Sequence, residues 1–284
     1  MKSQSPVSLY IAIPARFAST RLPGKPLQKI GARTMIEWVA ERALQLKKML
    51  QSEYSLGVLA SIEVIVATDH LDIQEILKEL PVRVVMTSQD LSSGTDRIHA
   101  ALLSENLPRR QQDLVLNIQG DEPFFSLEDC AQLIHCMLKN PLAPMGTLAF
   151  ERTSTKLFLR PSVVKVVSDG KGIALSFSRA PVPWPRAILG ASGEEWMTVA
   201  TQQVTEEISF LQHLGVYSYR WEYLKAFATE LVPSDLELRE GLEQLRAIQA
   251  GWKILLAQAK EEPFGIDTPE DLARAQEMIR DKLP

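Results

Sequence analysis

The sequence predicts an α/β protein with a mostly parallel sheet flanked by helices and a smaller mixed or antiparallel lobe. Three observations carry this: apolar strands alternate with amphipathic helices up to residue 140, strand pairs follow, and the chemically interesting residues fall just after strands. The first strand, 9–13, is the apolar run LYIAI, stopped by Pro14. A helix follows over 34–50, extended by an exposed Lys47/Lys48 face, and then EYSLGVLAS reads as a surface connector. Strand 62–67, helix 71–79, strand 82–86 and helix 95–104 continue the rhythm. Strand 114–118 is a buried run (Leu114, Val115, Leu116, Ile118), and helix 126–138 begins at the capping residue Ser126. Such a βαβ alternation places ligands at the carboxyl ends of the strands. Four loops converge there, at Ala15–Lys25, Thr68–Asp69, Ser92–Arg97 and Gln119–Pro123.

Beyond residue 140, strands are expected at 145–150, 163–168, 173–177 and 212–219, in a more antiparallel lobe. Helices at 221–229, 236–250 and 269–282 and a strand at 253–258 close the chain. Residues 180–208, with Pro181, Pro183, Pro185, Gly190 and Gly193, read as a long mobile connection, a lid or a dimer arm.

At 284 residues, 45% hydrophobic and 23% charged, the chain has the composition of one large globular domain. A net charge of −4 argues against a general nucleic-acid binder. No window offers the ~20 apolar residues of a membrane span, and the N-terminal apolar run ends too early for a signal peptide, so no membrane insertion and a cytoplasmic location are expected. Cys130 and Cys136 lack metal-site spacing and read as core packing residues.

The most informative stretch is IAIPARFASTRLPGKPL, residues 11–27. Arg16, Arg21 and Lys25 share one short loop, and small residues keep its backbone thin enough for N–H groups to approach a polyanion. A solvated basic loop is the plainer explanation. Three cations with Gly24 and two prolines directly after a first strand favour a triphosphate grip, although the loop matches neither a P-loop nor a dinucleotide fingerprint.

In LVLNIQGDEPFF, residues 114–125, the strand delivers Asp121 and Glu122 to the same edge. Carboxylates opposite a cationic loop suit Mg²⁺, a hard ion shared with substrate phosphates; Asp121 is the better ligand and Glu122 the weaker candidate. In FGIDTPEDL, residues 264–272, Thr268 and Pro269 mark a helix start. Asp267, just outside it, is by itself more often a helix-entry residue than a ligand, although a second carboxylate is what a two-oxygen metal clamp needs. In QHLGVYSYR, residues 212–220, His213, Gly215, Tyr217 and Tyr219 share one strand face; Gly215 leaves a gap for a ligand, and aromatic packing explains the spacing equally well. In EGLEQLRAIQ, residues 240–249, Leu242, Leu245 and Ile248 pack inward, and Glu243 with Arg246 reads as a surface i,i+3 pair.

Together IPARFASTRLPGKPL, VATDH, SGTDR, VLNIQGDEP, VVKVV, FSRAPVPW, HLGVYSYR, LEQLR and GIDTPEDL resemble the 3-deoxy-manno-octulosonate (Kdo) cytidylyltransferases, in order from residue 9 to about 275. The resemblance implies a Rossmann-like nucleotidyltransferase sheet in a single domain over 1–284. Its nucleotide-binding part spans about 1–140, its sugar-binding and dimerisation lobe about 141–250, and its C-terminal helix returns to the core over 251–284. It implies transfer of CMP from CTP to Kdo for lipopolysaccharide assembly, by a homodimer using Mg²⁺. Arg16, Ser19, Arg21 and Lys25 would hold the triphosphate, with Ser93, Gly94 and Arg97 near cytosine and ribose. Gln119 and Asp121 would lie at the reacting centre, with Asp121 and Asp267 on Mg²⁺. Arg179, His213, Tyr217, Glu243 and Gln244 would line the sugar pocket, which reverses the surface reading of Glu243.

The chain departs from the family pattern at Leu91 and Ser92 before Ser93, at Arg160, Pro161 and Ser162, and in a longer 44–61 segment. A cytidylyltransferase for another acidic sugar, and a noncatalytic nucleotide-sugar binder, are the competing readings.

Overall fold

Nine strands form one twisted sheet, whose seven-strand main path runs through strands of both halves of the chain. The computed structural model describes residues 6–18, 22–54, 58–105, 107, 110–186 and 207–280. In chain order the elements are β1 (Val7–Ala15), a 3₁₀ turn (Lys25–Leu27), β2 (Lys29–Ile30), β3 (Arg33–Thr34), α1 (Met35–Glu53), β4 (Leu59–Thr68), α2 (Leu71–Leu77) and β5 (Arg83–Met86). Then come α3 (Gly94–Ser104), β6 (Leu114–Asn117), α4 (Leu127–Lys139), β7 (Met145–Thr153), α5 (Thr155–Phe158), β8 (Lys165–Ser168) and β9 (Ala174–Ser178). The chain closes with β10 (Ser209–Arg220), α6 (Trp221–Thr229), α7 (Asp235–Glu240), α8 (Gln244–Gln249), β11 (Ile254–Ala259) and α9 (Pro269–Arg280).

The main path is β11-β7-β10-β6-β1-β4-β5, with β6, β1, β4 and β5 parallel and β10 antiparallel to both neighbours. β1 is apolar on both faces because both are covered. Leu9, Ile11 and Ile13 pack toward α1 and α4, while Tyr10 and Ala12 join the opposite cluster with Ile98 and Leu102 of α3. α1 starts on a capping box between Thr34 and Glu37, and Ser126 caps α4 by accepting from the Asp129 N–H. Cys130 is fully buried, and Cys136 packs against the same cluster. Lys48 is exposed as expected, whereas Lys47 is half-buried. Among the described residues no helix is long and apolar enough to cross a membrane.

Two features correct the sequence reading. Met145–Thr153 and Ser209–Arg220 belong to the central sheet, and the antiparallel β8/β9 pair branches from it. The single helix expected over 236–250 is two, α7 and α8, because Gly241 adopts φ +62° and ends α7 in a left-handed cap. Most of the segment read as a mobile connection lies outside the described residues.

The sheet also splits. Along one edge β10 pairs with β7 throughout, but along the other it pairs with β8 at Leu211–Gln212 and with β6 only from Tyr217 onward. A bulge between Leu214 and Tyr217 falls at the split. The gap between β6 and β8 is a recess in the sheet itself. At the start of β8 Lys165 is fully buried, and its ammonium donates to the carbonyls of Arg160, Val163 and Arg179 at 3.2, 2.7 and 2.6 Å. Burial pushes the Lys165 pKa down to about 8, so the group still carries its proton at neutral pH. Lys165→Met leaves three acceptors without their donor and is expected to cost about 3 kcal/mol, read as a lower urea midpoint at unchanged m.

Candidate active site

Two cavities meet at the carboxyl edge of the parallel strands. The first, a cleft of about 280 Å³, is lined by Pro14, Ala15, Arg16, Ala18 and Lys25 from the first loop, by 91–94 with Arg97, by Gln119–Asp121, and by Glu243 and Asp267. The second, of about 300 Å³, occupies the split in the sheet and takes its walls from Asn117, Val164, His213, Gly215, Tyr217 and Gln244, among others. Gly94, Gln119 and Glu243 line both. The two cavities therefore share a wall made by these three residues.

Three of the four expected loops line the cleft, and the fourth braces it. Asp69 accepts from the Phe17 N–H at 2.9 Å and pairs with Arg97 at 3.0 Å, a contact almost sealed from solvent. Arg97 also donates to Thr87 at 2.6 Å. Its guanidinium is thus committed to holding the first loop, although its side chain lines the cleft. Asp69 earned no role from sequence; its position in VATDH, directly after β4, was the available signal.

Arg16 stands exposed beside the cleft, whereas Ser19 and Arg21 lie outside the described residues. Gly24, at φ +61°, turns the chain into the 3₁₀ segment that sends Lys25 inward. The Lys25 ammonium lies 2.6 Å from Asp121 Oδ2 and 2.9 Å from Asp267 Oδ1. Asp267 is brought there by two devices. The Ile266 N–H donates to the Asp121 carbonyl at 3.4 Å, and the Asp271 carboxylate accepts from the N–H groups of Asp267 and Thr268, fixing the start of α9 as the sequence anticipates.

Glu122 turns away from the cleft into a small separate recess beside Phe124, Phe125 and Cys130. Burial, with the charges of Asp121 and Asp267 nearby, pushes its carboxyl up to about 8. Ser93 caps α3 by accepting from the Asp96 N–H, which aims the positive end of that helix's dipole at the cleft. Gly94 lets the helix approach β1: a Cβ there would lie 3.1 Å from the Pro14 ring.

In the second cavity Gln119 Nε2 donates to Asn117 Oδ1 and to the Gly215 carbonyl, at 3.2 and 3.4 Å. His213 is neutral, its pKa pushed down to about 3 by burial, and contacts Thr147 Oγ1 at 3.2 Å between the rings of Phe177 and Tyr217. Burial likewise raises the Tyr217 phenol, leaving it a hydrogen-bond donor. Thr95 donates to Glu243 at 3.0 Å, and burial pushes that carboxyl up. Gln244 is 3% exposed and its Nε2 has no hydrogen-bond partner, a donor held ready in a polar recess.

The surface pair expected between Glu243 and Arg246 does not form. Arg246 instead clasps Glu237 with two bonds of 2.7 and 2.5 Å, a bidentate geometry stronger than a single i,i+3 contact, which leaves Glu243 to the cavities. Arg179 is not brought into the recess. Its guanidinium donates to the carbonyls of Glu240, Pro161 and Gly241, and its N–H to the Glu240 carboxylate. It supports the wall at Gly241.

A parallel-sheet edge with a cationic loop facing carboxylates, and a second recess opening beside it, is an arrangement suited to a nucleotidyltransferase. The cytidylyltransferase family model matches residues 10–255. The chain is 41% identical over 97% of its length to the 3-deoxy-manno-octulosonate cytidylyltransferase of Idiomarina loihiensis, spanning all of that protein. It is 42% identical over 96% to the protein of that name from Xanthomonas oryzae, covering 97% of it. A solved structure of a CMP:2-keto-3-deoxy-manno-octonic acid synthetase complexed with CTP superposes with a TM-score of 0.79 at 34% identity, covering 97% of this chain and 100% of that one. The chain belongs to the 3-deoxy-manno-octulosonate cytidylyltransferase family.

Proposed function

We infer that the protein transfers CMP from CTP to Kdo, releasing pyrophosphate and forming CMP-Kdo. The observation that carries this is the junction of the two cavities at Gly94, Gln119 and Glu243, which lets a nucleotide phosphate and a sugar hydroxyl meet. The relatives' names supply the substrates: they are 3-deoxy-manno-octulosonate cytidylyltransferases, and the superposed synthetase was solved with CTP.

In this reading Arg16, Ser19, Arg21 and the N-terminus of α3 hold the triphosphate, and Lys25 lends positive charge to the α-phosphoryl oxygens as the displacement proceeds. Gln244, His213 and Tyr217 orient the sugar through neutral donors and acceptors, and Gln119 spans the boundary between the substrates. Mg²⁺ is the proposed cofactor. The donors fit it: Asp121 and Asp267 converge on one ammonium, hence on one cation-sized position, both are hard oxygen ligands, and both border the cleft. Among the described residues no group of three or more His, Cys, Asp and Glu gathers into a metal cage. When bound, Mg²⁺ would neutralise phosphate charge and lower the pKa of the attacking hydroxyl. Asp121 and Asp267 would hold it.

The reading also includes a homodimer, a cytoplasmic location and supply of CMP-Kdo to lipopolysaccharide assembly, with the nucleotide on about 1–140 and the sugar on about 141–250. Pyrophosphate release with CTP, Mg²⁺ and each of Kdo, an amino form of Kdo and sialic acid tests it. Release is expected to be fastest with Kdo; release with sialic acid alone would reassign the acceptor, and no release with Kdo would refute the reading.

A further inference from the structure

The ammonium of Lys25 occupies the position where two carboxylates converge. The Lys25 side chain is 10% exposed, while those of Asp121 and Asp267, which border the cleft, are 41% and 52% exposed. Asp121 takes no other ion pair among the described residues. The loop that supplies Lys25 is also the loop expected to hold phosphate. One cation therefore stands between two duties.

We propose that Lys25 is a resident counter-ion of the metal site: in the free protein it neutralises Asp121 and Asp267, and it gives them up to a divalent ion when nucleotide phosphates accept its ammonium. The proposal rests on the reading of Asp121 and Asp267 as metal ligands. Its physical ground is exclusion. An ammonium at 2.6–2.9 Å from both oxygens lies where a divalent ion bound by the same oxygens, at about 2.1 Å, would sit, and two cations cannot share that space without strong repulsion. Rotation toward the cleft is the direction in which Lys25 meets a new anion.

Two consequences follow. A divalent ion competes with Lys25 in the free protein and so binds weakly, and because the competition ends when phosphates take the ammonium, nucleotide and metal favour each other's binding by the same factor. The two carboxylates are also kept from repelling one another before substrate arrives, so the site is preorganised without metal.

The test is Mn²⁺ binding to the whole chain without nucleotide, measured by the loss of the free-ion electron paramagnetic resonance signal. Wild type, Lys25→Met, Lys25→Gln and Lys25→Arg are compared, with folding checked by near-ultraviolet circular dichroism. Both neutral variants are expected to bind Mn²⁺ at least about fivefold more tightly than wild type, with Lys25→Arg close to wild type. Lys25→Gln keeps a polar group between the carboxylates and serves if the Met variant does not fold. Unchanged or weaker Mn²⁺ binding in a folded neutral variant overturns the proposal. If wild type nevertheless makes CMP-Kdo, the exchange is wrong and the function stands. Asp121→Asn run alongside tells whether the measured ion occupies this site: persistence of the tighter binding in the Lys25→Gln, Asp121→Asn double variant would also overturn the proposal.

Discussion

Asp121→Asn is expected to cut turnover by about three orders of magnitude while leaving the fold intact. The carboxylate lies in the loop four residues beyond β6, 2.6 Å from the Lys25 ammonium and bordering the cleft where the nucleotide is proposed to react. Asparagine keeps the shape and loses the charge. Asp121 then no longer serves as a strong hard-ion ligand, and the charge balance with Lys25 is broken. Removing one electrostatic group aimed at a reacting phosphate costs on the order of 10²–10³-fold, and loss of a metal ligand lies at the upper end. Stability responds little, because the Asp121 side chain is 41% exposed and solvent screens its pair with Lys25. The measurement is pyrophosphate release at saturating substrates beside a urea titration. A fall in rate with an unmoved midpoint fits the account; near-normal turnover removes Asp121 from the chemistry.

Gly120→Ala is expected to damage both activity and stability. A Cβ at this position would lie 2.8 Å from the Pro14 carbonyl oxygen and 3.4 Å from the Ala15 Cβ. The first is a backbone atom at the end of β1, inside a register that pairs Pro14 with Ala67, so it cannot turn aside as a side chain would. Relief must come from parting the β1 and β6 ends. Overpacking of this kind costs about 1–3 kcal/mol. It also displaces Asp121, the next residue, relative to the first loop, and a misplacement of about 1 Å at a reacting centre costs roughly 10²-fold in rate. Gly170→Ala, with nothing within 4 Å of the added Cβ, is the control and should leave both quantities unchanged. Wild-type kcat in Gly120→Ala would show that the close approach of the two strand ends has no bearing on the site.

The sequence made much of this legible because the site is assembled at strand ends, and strand ends are local features. Gln119–Asp121 after LVLNI and Thr268–Pro269 before α9 each announce a boundary within a few residues, whereas β1 runs on through Pro14, which the sequence reading takes as its stop, to Ala15. The structure brings Lys25, Asp121 and Asp267 together where those boundaries fall. The split of the sheet at β10 was not legible. It depends on β6 and β8 lying end to end along one edge of β10, a long-range pairing that local alternation does not encode. Gly241 did carry a signal, a glycine inside a helical pattern, but only its left-handed φ decides that the helix breaks there.

Charged residues were the hardest to place, because sequence names a side chain's capacity and not its partner. Arg97 and Arg179 could each grip a ligand, yet Asp69 and Thr87 engage the first, and three carbonyls engage the second. Arg246 bypasses Glu243, within a turn of it on the helix, for a bidentate partner on α7. In each case the better geometry lies across elements. The roles of Asp69, Thr95 and Thr147 as braces for the first loop, Glu243 and His213 follow from such contacts and had no motif of their own.

The central claim is nucleotidyl transfer to an acidic sugar, and the most direct test is to identify what becomes of the phosphorus atoms of CTP. Phosphorus NMR of the protein incubated with CTP, Kdo and Mg²⁺, with mass analysis of the sugar product, follows each phosphate. Equimolar pyrophosphate and a CMP phosphodiester of Kdo, formed only when all three are present, are expected. CTP left intact beside Kdo and folded protein, or orthophosphate released in place of pyrophosphate, would contradict it.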